Sequence, residues 1–238
     1  MNNENNLTST DSLTTIPVIG DAAPAFRAES TSGPINFPED YKGKWVILFS
    51  HPADFTPVCT SEIATFAALH DEFLAMNAEL LGVSVDSVSS HLAWMKNIQD
   101  KINYKRYNGQ EFKYPLIADV KMDVAKKYGM IQPHSSDTKA VRAVFFIDPK
   151  GIIRALIYYP LSNGRNFEEL KRILLAMQTT DEYGVATPAD WQPGEDVLIS
   201  APATIKDLNT REEKAPEDAK CEDWFFCTKP LPQKKKVA

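Results

Sequence analysis

Apolar residues along the chain alternate between the spacing of strands and the spacing of helices. Residues 44–50, Lys-Trp-Val-Ile-Leu-Phe-Ser, form a nearly continuous apolar run of strand length, the pattern of a strand covered on both faces. A break at 51–55 follows. Thr56-Pro57 then predicts a helix start, because Thr is a favoured N-cap and Pro a favoured first helical residue. Ile63, Phe66, Leu69, Phe73 and Met76 step by three and four, so they share one helical face. Residues 80–85 read as a strand. Residues 87–100 read as a helix with Leu92, Met95 and Ile98 inward. A short strand at 114–118 and a short helix at 120–128 come next. Residues 141–147 and 152–158 form a hairpin around Asp148-Pro149-Lys150-Gly151, and Phe167, Leu170, Ile173, Leu174 and Met177 mark a closing helix. This order predicts an α/β fold with a mixed sheet.

The pattern also divides the chain. Residues 1–15, rich in Asn, Ser and Thr, read as a disordered N-terminal extension, and 16–180 as the folded domain. Residues 181–238 read as an extended C-terminal arm punctuated by proline. Its Trp191, Trp224, Phe225 and Phe226 need a surface to pack on, either the chain's own core or a partner subunit. Lys+Arg 26 against Asp+Glu 32 gives a net charge of -6, which argues against nonspecific nucleic-acid binding. The single basic run, Lys234 to Lys236, reads as a solvated tail. No apolar run approaches the roughly 20 residues of a membrane span. Three cysteines and no signal peptide point to a cytoplasmic protein whose thiols are kept reduced.

Cys59 is the candidate for chemistry. It falls in the first turn of the predicted helix, where unpaired N–H groups and the helix dipole favour an anion, here the reactive thiolate. The Thr56 hydroxyl, three residues earlier, can reach the same sulfur. A buried core cysteine is the competing reading.

The string Pro52-Ala53-Asp54-Phe55-Thr56-Pro57-Val58-Cys59 resembles the peroxiredoxin pattern P-x-x-x-T/S-x-x-C. The longer string 49–62 resembles the 1-Cys-type branch, which includes archaeal-type two-cysteine members. Residues 86–94, 142–149, 159–167 and 187–191 extend the likeness to about 16–232. It implies a thioredoxin-like fold, a central mixed sheet flanked by helices, with a C-terminal dimerisation arm. It implies a peroxidase acting on hydrogen peroxide and organic hydroperoxides with no metal, haem or flavin. Cys59 would be the peroxidatic nucleophile. Thr56 would bond the thiolate and orient the peroxide, Pro52 would shield the pocket, and Arg142 would supply positive charge. Glu62 would orient an arginine, Arg165 would be a second positive group, and His51 a pocket histidine.

Cys221 and Cys227 lie six positions apart. Zinc is disfavoured, because two further ligands are needed and His70, His91 and His134 are scattered. The likeness implies instead that Cys227 resolves the Cys59 sulfenic acid as a disulfide, usually with the neighbouring subunit. Cys221 would exchange with Cys227 or be dispensable. The implied partners are a thioredoxin or similar dithiol reductant and a homodimer assembling to a decamer or dodecamer. Two other classes compete: a redox-switched holdase, and a disulfide oxidoreductase, which the lack of C-x-x-C at Cys59 disfavours. Some members of the branch carry a hydrolase-like G-x-S-x-G; here Lys44 stands where its serine would be, so no lipase activity is expected.

Overall fold

The computed structural model describes residues 16–136 and 138–231; the expected extension 1–15 and the Lys234–Lys236 run lie outside the described residues. The described residues divide into two compact units, the first ending at Arg165 and the second beginning at Asn166.

In the first unit, β1 (Phe26–Ala28) and β2 (Ile35–Phe37) make a small antiparallel pair. β3 (Trp45–Ser50), α1 (Pro57–Ala75), β4 (Ala78–Ser84) and α2 (Val88–Lys101) follow. A two-stranded ribbon, β5 (Asn103–Tyr104) and β6 (Tyr107–Asn108), leads to β7 (Leu116–Ala118) and α3 (Asp123–Lys127). The hairpin β8 (Arg142–Ile147) and β9 (Ile153–Tyr159) ends the sheet. The main sheet has the order β7-β4-β3-β8-β9; β7, β4 and β3 are parallel, and β8 and β9 antiparallel to their neighbours.

All six residues of β3 are buried, as a strand covered on both faces requires. On one face, Val46, Leu48, Ala143, Phe145 and Ile147 join a core with Phe26, Phe37 and Tyr128. On the other, Phe49 stacks on Phe66 of α1 with ring centroids 3.9 Å apart. Gly82 in β4 makes room for that layer: a Cβ there would meet Leu116 Cδ2 at 2.5 Å and Phe49 Cζ at 3.0 Å.

The helix at 88–101 turns a different face inward from the one expected. His91, Trp94 and Ile98 are buried, whereas Leu92 is 50% exposed and Met95 half-buried. The reason is polar. His91 has hydrogen-bond partners at both ring nitrogens, so its burial leaves nothing unsatisfied.

In the second unit, α4 (Phe167–Tyr183) starts at Asn166, whose side chain accepts from the Glu168 and Glu169 N–H groups. The expected extended arm contains regular structure: β10 (Val197–Leu198), α5 (Ile205–Glu213), β11 (Lys220–Asp223) and β12 (Phe226–Lys229), with sheet order β10-β12-β11. Helix α5 has no buried residue, and Ile205 and Leu208 are its only apolar side chains. Trp191 is fully buried with Ala176 and Val197, settling its packing within its own unit. Phe225 and Phe226 stay exposed. Among the described residues no helix is long and apolar enough to cross a membrane.

Candidate active site

Sheet topology brings the site together. β8 runs antiparallel to β3, so it begins where β3 ends, at the edge from which the 51–56 loop leads into α1. Ser50 closes that corner: its hydroxyl donates to the Val141 carbonyl at 2.5 Å and accepts from the Ala143 N–H at 3.0 Å. Arg142, the first residue of β8, is therefore delivered beside the first turn of α1. There its Nη1 donates to Cys59 Sγ at 3.3 Å.

Cys59 is the third residue of α1, fully buried and a free thiol. Pro57 has no N–H, and the first turn's bonding begins with the Thr60 N–H to the Thr56 carbonyl at 2.9 Å. The N–H groups of Val58 and Cys59 therefore precede the helical ladder. Thr56 is the N-cap residue, but its hydroxyl donates to the Ala53 carbonyl at 2.9 Å. That contact folds the loop and differs from the thiol contact expected of this side chain. Pro52 is buried, and Phe55 turns the chain through a left-handed backbone (φ 54°) just before the helix.

The same Arg142 Nη1 donates to Glu62 Oε2 at 2.7 Å, while Nε and Nη2 hold the Leu161 carbonyl at 3.0 and 2.7 Å. Glu62, one helical turn after Cys59, also binds Arg165 twice: its Oε2 accepts from Nη1 and its Oε1 from the backbone N–H, both at 2.8 Å. Arg165 Nη2 reaches the carbonyls of Ser50 and Ala143. All of these side chains are buried. Desolvation lowers Arg165 from its ordinary value; Glu62 opposes that shift and Arg142 adds to it. Two guanidinium groups and one carboxylate sum to one positive charge, and a negative sulfur at Cys59 makes the cluster neutral.

His51 is assembled into a different group. Its Nε2 bonds Asp54 Oδ1 at 3.0 Å, its ring lies 5.2 Å from that of Trp94, and its Nδ1 has no partner. Burial holds the His51 ring below its ordinary 6.5, against the pull of Asp54. Asp54 also bonds His91 Nδ1 at 2.9 Å and accepts from the Ser90 hydroxyl at 2.7 Å, while its own N–H donates to Asp86. Desolvation pushes the Asp54 carboxyl up, but the hydrogen bonds from His51 and His91 outweigh it and hold it well below the usual carboxylate range. Asp54 and His91 had no role in the sequence reading; only the loop motif and a histidine on a helix hinted at them. His51, Asp54 and His91 are metal-ligand types in reach of one another. Their direct hydrogen bonds, at 2.9–3.1 Å, account for the cluster as a tether of the loop onto α2.

Cys221 and Cys227 form a disulfide, since the β11–β12 register sets them directly opposite. The expectation of three reduced thiols thus holds only at Cys59. Cys227 is buried and Cys221 half-exposed. Lys44, at the hydrolase-like position, pairs with Glu79 on the surface.

Comparison with known proteins agrees with this geometry. The chain matches the AhpC/TSA family over residues 19–156 and the C-terminal domain of 1-Cys peroxiredoxin over 176–215. It is 58% identical to a peroxiredoxin of Methanosarcina mazei, covering 92% of this chain and 100% of that protein. It is 49% identical to a peroxiredoxin of Aquifex aeolicus, covering 91% and 98%. Among solved structures, a yeast mitochondrial 1-Cys peroxiredoxin aligns at TM-score 0.76 and 35% identity over 91% of this chain and 100% of that one. Peroxiredoxin 6 of Arenicola marina aligns at TM-score 0.76 and 33% identity over 91% and 99%. With relatives aligned nearly end to end and more than half of its length inside one family's domain, the chain belongs to the peroxiredoxins, thiol peroxidases built on a thioredoxin-like fold.

Proposed function

We propose that Cys59 is the peroxidatic nucleophile, reducing hydrogen peroxide and organic hydroperoxides. The observation that carries this is the single Arg142 Nη1 shared between Cys59 Sγ and Glu62 in a buried cluster of net charge +1. The thiolate attacks the distal peroxide oxygen, the O–O bond breaks, and the leaving oxygen takes a proton to become water or an alcohol. Cys59 is left as sulfenic acid. Arg142 and the Val58 and Cys59 N–H groups stabilise charge on the breaking bond. Thr56 turns its hydroxyl from Ala53 to the bound peroxide, and Pro52 keeps water from the thiolate. Glu62 and Arg165 hold Arg142 in place, and His51 contributes a pocket acceptor.

Cys227, on the 181–238 arm, attacks the sulfenic sulfur, forms a Cys59–Cys227 disulfide between subunits of a homodimer and releases water. A thioredoxin-type dithiol in the cytoplasm reduces the bond, and dimers assemble into a decamer or dodecamer. Support comes from the cysteine pattern of the arm and from the likeness to the family's two-cysteine members. Stopped-flow tryptophan fluorescence tests the cycle. Wild type should show two phases with hydrogen peroxide, Cys59→Ser neither, and Cys227→Ser only the first. A first phase that survives Cys59→Ser refutes the assignment.

A further inference from the structure

We propose that Asp54 and His91 are positioning residues for Cys59: as a buried latch between the 51–56 loop and α2, they set how quickly the Cys59 sulfenic acid is released to its resolving thiol. The proposal rests on the peroxidatic and resolving roles given above.

The loop is fastened at one residue. Among the described residues, Asp54 makes every hydrogen bond between residues 51–56 and residues 86–91. Its N–H donates to Asp86 at 3.0 Å, and its carboxylate accepts from the Ser90 hydroxyl at 2.7 Å and meets His91 Nδ1 at 2.9 Å. The His91 ring shows what kind of bond this is. Nε2 lies 3.1 Å from the Ile117 carbonyl, which only accepts, so Nε2 carries a hydrogen. Nδ1 faces both Asp54 oxygens, at 2.9 and 3.1 Å. A neutral imidazole has a single N–H, so a further proton lies between Nδ1 and the carboxylate. Asp54 and His91 are thus a charge-assisted pair, neutral as a whole and enclosed from water.

Phe55 loads the latch. Its φ of 54° is a left-handed backbone, costly for a bulky side chain. Asp54 fixes it on one side and Thr56, the N-cap residue of α1, on the other. The strain is held while the latch is shut and relieved when it opens.

Timing matters because the sulfenic acid has two fates. A resolving thiol can attack its sulfur, forming a disulfide and releasing water. That bond brings two sulfurs to about 2 Å, and Cys59 is fully buried, so the loop and the first turn of α1 must open first. While they stay shut, a second hydrogen peroxide competes. The sulfenic sulfur attacks it, the O–O bond breaks, and sulfinic acid and water form. A tight latch favours the sulfinic acid and a loose one the disulfide.

The test compares full chains of wild type, Asp54→Asn and Asp54→Ala, each shown to be folded by circular dichroism. The Asn amide still bonds both histidines but lacks the charge, whereas Ala removes the latch. Hydrogen exchange of the reduced proteins reads opening, because the Thr60 N–H donates to the Thr56 carbonyl only while the first turn is formed. Stopped-flow tryptophan fluorescence with hydrogen peroxide reads the chemistry; the Trp94 ring lies 5.2 Å from His51 and 6.3 Å from Phe55. Loss of a hydrogen bond to a charged group should speed Thr60 exchange and the second phase by about tenfold or more in Asp54→Ala, while the first phase loses less than half of its rate. Asp54→Asn should fall between the two. The peroxide concentration that inactivates half of the enzyme during turnover should rise by the same factor as the second phase. A merely structural role lowers Tm without driving the two phases apart. Phases that slow together, or Thr60 exchange unchanged in Asp54→Ala, overturn the latch. A wild type with no second phase overturns the resolving role of Cys227, and the timing with it.

Discussion

Replacing Arg142 with Met keeps much of the side chain's length and apolar stem but removes its charge and its donors. Three things are lost: the Nη1 contact to Cys59 at 3.3 Å, the contact to Glu62 at 2.7 Å, and both bonds to the Leu161 carbonyl. The remaining pair, Arg165 and Glu62, is neutral by itself, so an anionic Cys59 would be an unbalanced buried charge. Removing one donor aimed at developing charge typically costs about 10²–10³ in rate. The second-order rate of the first fluorescence phase, measured against peroxide concentration, should fall by that amount. Breaking a buried ion pair costs about 3–5 kcal/mol. Here Glu62 keeps Arg165, which places the loss near the lower end, a fall in Tm of about 6–12 °C for a chain of this size. Arg142→Lys keeps the charge without the planar fork, so it should recover part of the rate. A charge-stabilising role for Arg142 is refuted if the Met variant, shown to be folded by circular dichroism, reacts within threefold of wild type, or if Lys and Met are equally slow.

Acid should destabilise the protein in two steps. Native His51 sits below 6.5 and native Asp54 below 3.8, so on acidification the unfolded chain takes up each proton first. Stability is therefore full above about pH 6.5 and falls through the window below each ordinary value; melting curves of His51→Asn should lack the upper step. Gly82→Ala forces a methyl against Leu116 and Phe49 and should cost about 1–3 kcal/mol by urea denaturation, with an unchanged midpoint counting against the packing account. Deleting residues 219–238 should leave the first peroxide turnover intact but block recycling by a thioredoxin system; normal steady-state turnover would contradict a resolving role for the arm.

The elements that carry the site were readable because burial wrote them into the sequence. A strand covered on both faces reads as the apolar run before His51, and the buried face of α1 repeats at Ile63, Phe66, Leu69 and Phe73. The start of α1 was readable because Pro57 suits only a few backbone positions. What escaped was whatever depends on pairing rather than period. Polar α5 buries nothing and offers only Ile205 and Leu208 as apolar positions, too few to mark a helix. Helix α2 buries a satisfied histidine in preference to Leu92, a choice that depends on Asp54 lying 37 positions earlier. The Cys221–Cys227 bond depends on a strand register that spacing alone does not determine. Glu62's grip on both arginines likewise joins residues about 80 and 103 positions apart.

Arg142 also has a bearing on how the sheet assembles. Along β8, Ala143, Phe145 and Ile147 face the core that holds Phe26 and Tyr128, so Arg142 faces the opposite way, toward α1. A slip of one residue between β3 and β8 would exchange those faces. It would drive a guanidinium among aromatic rings and take from Glu62 one of its two arginines, a cost of several kcal/mol. Correct alignment thus carries an electrostatic reward that every neighbouring register lacks. The residue that attends the sulfur in the finished protein also proofreads the pairing of the strands while it folds.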